Sequence, residues 1–377
     1  MIKLMICGLK PEKAWPAHEV GRPESKRFLL DIVANKRNGL DVDKFDYFVR
    51  DSICAMGAPP IQCDIQRIIR SSRIINVDNQ NQICYEEKMA LQLIDLFKLR
   101  AWLHKFVYQH HTVNCIEEMI CDALRSADEP FMSLGFLNCD ASRLSEAVDD
   151  VEAFSRMGDW LLNAIEASSA PTLAESRDVL FRLRQRSLYL SVAVPTDLGH
   201  EHLRTKTEQE ILSEILTLLP TDANKEHCKR DLLVHFTSID FGSRDERGRA
   251  NNPIHKIRFY NPKINADVGF QLKRRMPDML MPRAFSEKLL YVYSRSDESF
   301  DMLDAAYRRW RDMIHRRVER FEATAAPPQT PPTSDSMLTP VATGNQPSPM
   351  RHAIRLRRTQ SRQQATSSVA LRKFNST

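Results

Sequence analysis

A mostly helical lobe followed by a smaller α+β lobe is the fold class this sequence predicts. Apolar residues recur at helical spacing through most of the first 187 positions, and β-rich runs begin at Leu188. Only eleven glycines stand among 377 residues, which argues for helix and against glycine-rich phosphate loops. The division expected is 1–187 for the helical lobe and 188–325 for the α+β lobe, with antiparallel strands. A disordered basic tail is expected over 326–377, where Pro, Thr and Ser dominate.

Positions 1–25 mix apolar residues with Pro11, Pro16 and Pro23 and read as an irregular lead-in or a single strand. Helical spacing appears over 27–33, where Gly39 follows as a stop, and again from Asp41, an N-cap type. A further helix is expected over 64–75, then a hairpin over 74–84 turning at Asp78-Asn79-Gln80. The stretch 86–127 reads as one long helix broken near Thr112, with Leu91, Ile94, Leu96, Phe97, Leu103 and Val107 facing a core. Helices follow over 145–167 and 172–186. Strands are expected over 189–194, 232–241, 254–260, 268–272 and 289–293, then a charged amphipathic helix over 299–322.

The net charge of +5 is unevenly placed. Seven Arg and Lys against Asp335 give the segment after Ala325 a charge of +6, so the remainder carries about −1. Basicity therefore belongs to the tail. Eight cysteines without a Cys-x-x-Cys pair read as reduced thiols, and no 18-residue apolar run is present. An intracellular, soluble protein with no membrane association is expected.

Two stripes carry the chemistry. On a helix opening at Asp41, Asp43, Tyr47 and Asp51 fall at i, i+4 and i+8, with Lys44 beside them. Arg100, His104 and Tyr108 repeat that spacing further on. Gln109 lies about 180° round from Arg100 on an ideal helix, so it joins them only near a helix end. Carboxylates, cations and phenols on one face suit a polyphosphate pocket with a metal nearby. A solvated amphipathic helix is the alternative for the first stripe.

The sequence resembles the SAM- and HD-domain-containing deoxynucleoside triphosphate triphosphohydrolases. The resemblance rests on Gly21-Arg22-Pro23-Glu24, Asn35-Lys36-Arg37-Asn38-Gly39, Asp41-Val42-Asp43-Lys44, Asp46-Tyr47-Phe48 and Arg50-Asp51. Val77-Asp78-Asn79, Leu103-His104, Tyr108-Gln109-His110, Ala147-Val148-Asp149-Asp150 and Asn252-Pro253-Ile254 continue it. It covers roughly residues 2–315. It implies that 1–187 is the later part of an HD-type catalytic domain and 188–325 a regulatory and oligomerisation lobe.

The resemblance also implies roles. Asp43 would be the last metal-binding aspartate of a His, His-Asp and Asp set, for zinc, iron or manganese together with magnesium. Lys44 and Arg100 would hold the triphosphate. Tyr47 and Asp51 would contact the sugar side and His104 would line the pocket. Tyr108 would crowd the 2′ position, and Gln109 would sit near sugar and base. The implied reaction is water attack on the α-phosphorus, giving a deoxynucleoside and triphosphate in dGTP and dNTP catabolism, with the metal supplying hydroxide. GTP and dNTP effectors would meet Arg67, Lys88, His110 and Arg186 between subunits of a dimer or tetramer.

Departures are explicit. None of the eleven histidines is followed by Asp, so the other metal ligands are expected to be missing and 1–377 to be inactive alone. Ile68, Leu91 and Leu96 are then expected to face lost partners. Ser71, Glu86, His111 and Leu190 stand where the family has aromatic or cationic effector contacts, which removes charge-assisted bonds. The rival functions are a non-catalytic interaction subunit and a nucleic-acid-binding protein that takes single strands through the tail. Arg355-Leu356-Arg357-Arg358 points to the nucleus, with the cytoplasm as the alternative. Gly199-His200-Glu201-His202 reads as a loop rather than a metal site.

Overall fold

The computed structural model describes residues 1–137, 141–192, 196–197, 205–221, 223–245, 247–272 and 281–325. The tail beyond Ala325 and the His200/His202 pair lie outside them. The lead-in is helical rather than extended, with α1 (Ile2–Cys7) and α2 (Ala17–Val20). Arg27 explains how a proline-rich segment is held there. Its buried guanidinium donates to the carbonyls of Lys10, Pro11 and Lys13, satisfying backbone that forms no regular element.

After α3 (Phe28–Val33) comes α4 (Val42–Met56), the first chemical helix, and it starts where Asp41 directs. The Asp41 carboxylate accepts from Lys44 N and from Asn35 N, satisfying free donors at the helix entry. Gly57, at φ 77°, ends the helix in the left-handed conformation. The helix expected over 64–75 is shorter, α5 (Ile65–Arg70). The β-branched run that follows pairs with its neighbour instead, as β1 (Ser72–Val77) against β2 (Gln80–Glu86). The hairpin turns at Asp78 and Asn79, both at positive φ (51° and 61°), as a two-residue hairpin with the twist of its strands requires.

The long helix divides where a polar end residue is needed. A helix α6 (Ala90–Leu103) continues into one π turn, His104–Tyr108, closed by Gln109 N donating to His104 O at 2.8 Å. The chain restarts at His110, the cap of α7 (His111–Ser133), so the break precedes Thr112. The helix expected over 145–167 is broken as well, into α8 (Val151–Arg156), capped by Asp150, and α9 (Trp160–Ala167) beyond Gly158. Then comes α10 (Ala174–Arg184).

The C-terminal elements are short β3 (Leu190–Ser191) and β4 (Thr196–Asp197), α11 (Glu208–Thr217), α12 (Lys225–Asp231) and β5 (Leu232–Asp240). Sequence reading missed α11 and α12, although Thr207 and Glu210 form a reciprocal capping box. Next are β6 (Arg258–Asn261), β7 (Asn265–Gln271), β8 (Ser286–Ser294) and α13 (Asp297–Ala325). A 3-10 turn, Pro253–Lys256, replaces the first half of the strand expected over 254–260. Two sheets result. One runs β1-β2-β6-β7, with β2 and β6 parallel and the other pairs antiparallel. In the other, β8 pairs antiparallel with β3, β4 and β5, the last over Leu232↔Ser294 to Asp240↔Ser286.

The core under the site comes from both halves of the sequence. Phe48, Leu93, Ile94, Phe97 and Leu103 pack with Ile257 and Phe259. A second core gathers Ile211, Ile215, Val234, Leu290, Val292 and Trp310. Cys115 and Met119 of α7 meet Tyr189, Tyr291 and Tyr293 in a third. Ile68 and Leu96 do not face lost partners, because both are wholly buried, whereas Leu91 is 42% exposed. All the described cysteines are free, and no helix of the described residues is long and apolar enough to cross a membrane.

Candidate active site

The two stripes meet. Tyr108 Oη donates to Asp51 Oδ2 at 2.7 Å, and the rings of Tyr47 and Tyr108 lie 6.3 Å apart. Burial raises the Tyr47 phenol pKa. Arg100 opposes that, while Asp43, Asp41 and Asp51 add to it. Burial and the bond to Asp51 likewise raise Tyr108. The His104 ring meets Tyr108 edge-on at 5.2 Å. Burial, then Arg100, lowers its pKa, which favours a neutral imidazole at pH 7.

A π turn puts Gln109 at the end of the helix. Its extra residue per turn ends the helix at Gln109, whose backbone has left helical angles (φ −108°, ψ 26°). The Gln109 carbonyl accepts from Tyr291 Oη at 2.6 Å and from Asn114 Nδ2 at 3.2 Å. Its side-chain oxygen accepts from Thr237 Oγ1 at 3.1 Å. Thus the sheet of the C-terminal half fixes the end of a helix that belongs to the N-terminal half.

Both cations assigned to phosphate are already paired. Lys44 Nζ contacts the two Asp41 oxygens at 3.1 and 3.2 Å. Arg100 donates to the carbonyl of Asp240 and, at 3.2 Å, to its carboxylate. Sequence reading missed Asp240 and Thr237 because they lie 140 and 128 residues from their partners. The one local signal was an acid closing the apolar run of β5. Two cavities, of about 500 and 380 Å³, flank these walls on the far faces of α4 and α6. Neither is lined by Tyr47, Arg100 or Tyr108.

The four effector candidates fall into two pairs of adjoining segments. Arg67 on α5 and Lys88 after β2 are joined through Glu86 N donating to Ser71 O. Lys88 Nζ is 2.5 Å from a carboxylate oxygen of Glu86. His110 caps α7 through its ring, accepting from Thr112 N, and Arg186 leaves α10. Cys115 Sγ against Tyr189 O places the start of α7 beside the exit of α10. Arg186 is left-handed (φ 57°), with Arg186 N and Ser187 N bonded back to Leu183 O and Arg182 O. That position of a helix end favours glycine. Arg186→Gly is therefore expected to raise stability by about 0.5–1 kcal/mol, read as a higher urea midpoint. An unchanged or lower midpoint would mean that the arginine side chain contributes more than the strain costs.

Three comparisons bear on kinship. The deoxynucleoside triphosphate triphosphohydrolase SAMHD1 of Bos taurus is 34% identical over 283 residues, covering 74% of this chain and 46% of the cattle protein. Its Homo sapiens counterpart is 32% identical, covering 75% of this chain and 44% of its own length. The SAMHD1 homolog of Dictyostelium discoideum is 31% identical, covering 76% and 50%. No family model matches the chain. These relatives place the chain among the HD-domain hydrolases. Within that class, the chain belongs to the deoxynucleoside triphosphate triphosphohydrolase family. It spans about half the length of the curated relatives it matches.

The family implies a divalent metal. Among the described residues no three His, Cys, Asp or Glu side chains gather to hold one. Asp43 is exposed on the first turn of α4 and offers a single carboxylate. A single carboxylate does not hold a transition metal, so the described residues do not fit that group.

Proposed function

We propose that this chain presents the nucleotide-facing side of a dNTP triphosphohydrolase site. Lys44 and Arg100 take the phosphates, while Tyr47, Asp51 and Tyr108 take the deoxyribose, with His104 and Gln109 lining the pocket. The 2.7 Å bond from Tyr108 to Asp51 carries this reading, because it joins two stripes that lie 57 residues apart into one surface. Asp51 accepts there and also from Arg50 at 2.8 Å, leaving lone pairs on its oxygens for a sugar hydroxyl. Tyr108, held by that bond, leaves a fixed ring edge against the 2′ position.

With one metal donor at Asp43, residues 1–377 bind deoxynucleotide without hydrolysing it. Calorimetric titration with dGTP should give saturable binding, and Arg100→Ala should weaken it at least about tenfold. Incubation with dGTP and manganese or magnesium should release no triphosphate. Equal affinity of Arg100→Ala and the unaltered chain would remove the assignment, and enzyme-like turnover would remove the inactivity.

A non-catalytic subunit that assembles with longer copies is the second reading, and the single metal donor favours it. Self-association and GTP or dNTP effectors at Arg67, Lys88, His110 and Arg186 belong to this reading, supported by the family resemblance. Its charge of +6 supports capture of single strands by the tail, and Arg355-Leu356-Arg357-Arg358 supports a nuclear location. Deleting 326–377 should then abolish salt-sensitive binding to single strands.

A further inference from the structure

We propose that Arg244 is a second guanidinium for the substrate's phosphates, and that Asp240 occupies the phosphate position until an anion displaces it. The inference rests on the reading of Arg100 as a phosphate-holding residue. Its own basis is a carboxylate gripped from both sides. Asp240 Oδ1 lies 3.2 Å from Arg100 Nη1, and Asp240 Oδ2 lies 2.8 Å from Arg244 Nη2. Gly242 N donates to Oδ1 at 2.8 Å, so three donors from three residues converge on one anion. Two planar guanidinium forks and a backbone N–H match a phosphoryl group as well as a carboxylate.

The surroundings are built for exchange. Strand β5 ends at Asp240, and the chain turns at Gly242 (φ 79°), where an added Cβ would stand 3.3 Å from Arg100 Nε. The turn therefore wraps closely round the guanidinium. Beyond it, Arg244 and Ala250 bridge as a small hairpin, and Arg244 Nη1 donates to Gly248 O at 3.0 Å. That bond holds the second fork in position without using the nitrogen that meets Asp240. The Arg100 bond to the Asp240 carbonyl does not depend on the carboxylate, so Arg100 stays aimed when the carboxylate swings away. Arg100 and Asp240 side chains are 18% and 15% exposed, while Arg244 is 55% exposed. The inner cation is thus shielded and the outer one is open to an arriving polyanion. A carboxylate offers one charge to these two cations and a triphosphate several, which favours replacement.

Inorganic tripolyphosphate is the probe, titrated calorimetrically into the 1–377 chain at fixed ionic strength. Asp240→Asn should bind it about tenfold more tightly than the unaltered chain, since the competing charge is gone. Arg244→Ala should weaken binding about threefold alone and by a larger factor in the Asp240→Asn background. Arg244→Lys should restore only part of that loss, because it returns the charge without the fork. An Asp240→Asn chain that binds no more tightly overturns the proposal. So does an Arg244→Ala chain of unchanged affinity, a result independent of the first because Arg244 sits on an exposed hairpin whose truncation keeps the fold. Arg100→Ala separates the two levels of inference. If it binds as tightly as the unaltered chain, the phosphate assignment itself goes. If it alone is weakened, only the exchange at Asp240 and Arg244 goes.

Discussion

Replacing Phe48 by Ala should cost about 3–5 kcal/mol of folding stability and also weaken deoxynucleotide binding by the folded protein, through the loss of the ring that supports Tyr47. Phe48 is wholly buried, packed with the apolar side chains of α6 and with Phe259 of β6. Its ring also meets Tyr47 edge-on, with centroids 4.5 Å apart. The same helix turn therefore faces the site with Tyr47 and plugs the core with Phe48. Removing the plug leaves a ring-sized void and frees Tyr47 to leave Tyr108. Urea denaturation reads the first effect. Titration with dGTP at a temperature where both proteins are folded reads the second. A stability loss below about 1 kcal/mol would show that the void collapses without strain. Full binding by the folded variant would show that Tyr47 is held from elsewhere.

The second large effect is expected at Asp122. Arg295 Nε and Nη2 contact its carboxylate at 2.6 and 3.1 Å, Tyr189 Oη donates at 2.9 Å, and Arg125 adds an exposed contact at 2.9 Å. Arg295 also lies over the Tyr189 ring at 5.9 Å. These contacts fasten α7 to the exit of β8. Asp122→Ala would leave a partly buried guanidinium without its anion, at a cost of about 2–3 kcal/mol after allowance for residual exposure. Burial by itself would raise the Asp122 pKa. The hydrogen bonds and charge of Arg295, with those of Tyr189 and Arg125, outweigh it and hold the group below the usual carboxylate range. A lowered folded pKa contributes stability that is complete above the unfolded value, near pH 4, and disappears as pH falls through the folded one. Stability curves of the unaltered chain and Asp122→Ala should thus converge as pH drops below about 4. A constant gap down to pH 2 would assign the loss to packing alone.

The fold was legible to different depths in different places. Capping chemistry marked helix starts well, because Asp41 satisfies backbone donors within its own turn. The hairpin at Asp78-Asn79 was readable for the same local reason. Periodicity failed over 64–75 because Ile74 and Ile75 satisfy a strand as easily as a helix, and pairing with Ile83 and Gln82 decided between them. It failed over 145–167 because Gly158 and the Asp150 cap interrupt a pattern that still looks continuous in one dimension. Leu91 fits the apolar stripe of α6 and yet is 42% exposed, since the stripe is read from spacing and burial from neighbours.

What the sequence alone determined is the pair of stripes: spacing of four puts Asp43, Tyr47 and Asp51 on one face and Arg100, His104 and Tyr108 on another. The same reading found Gln109 out of register. Only the tertiary structure decided how those faces are used. The π turn brings Gln109 to the helix end, Tyr291 and Thr237 pin it there, and Asp240 takes hold of Arg100. Helical spacing is a property of neighbouring residues and can be counted. Contacts between residues more than a hundred positions apart arise from how two sheets and their helices pack, and packing leaves no period in the chain.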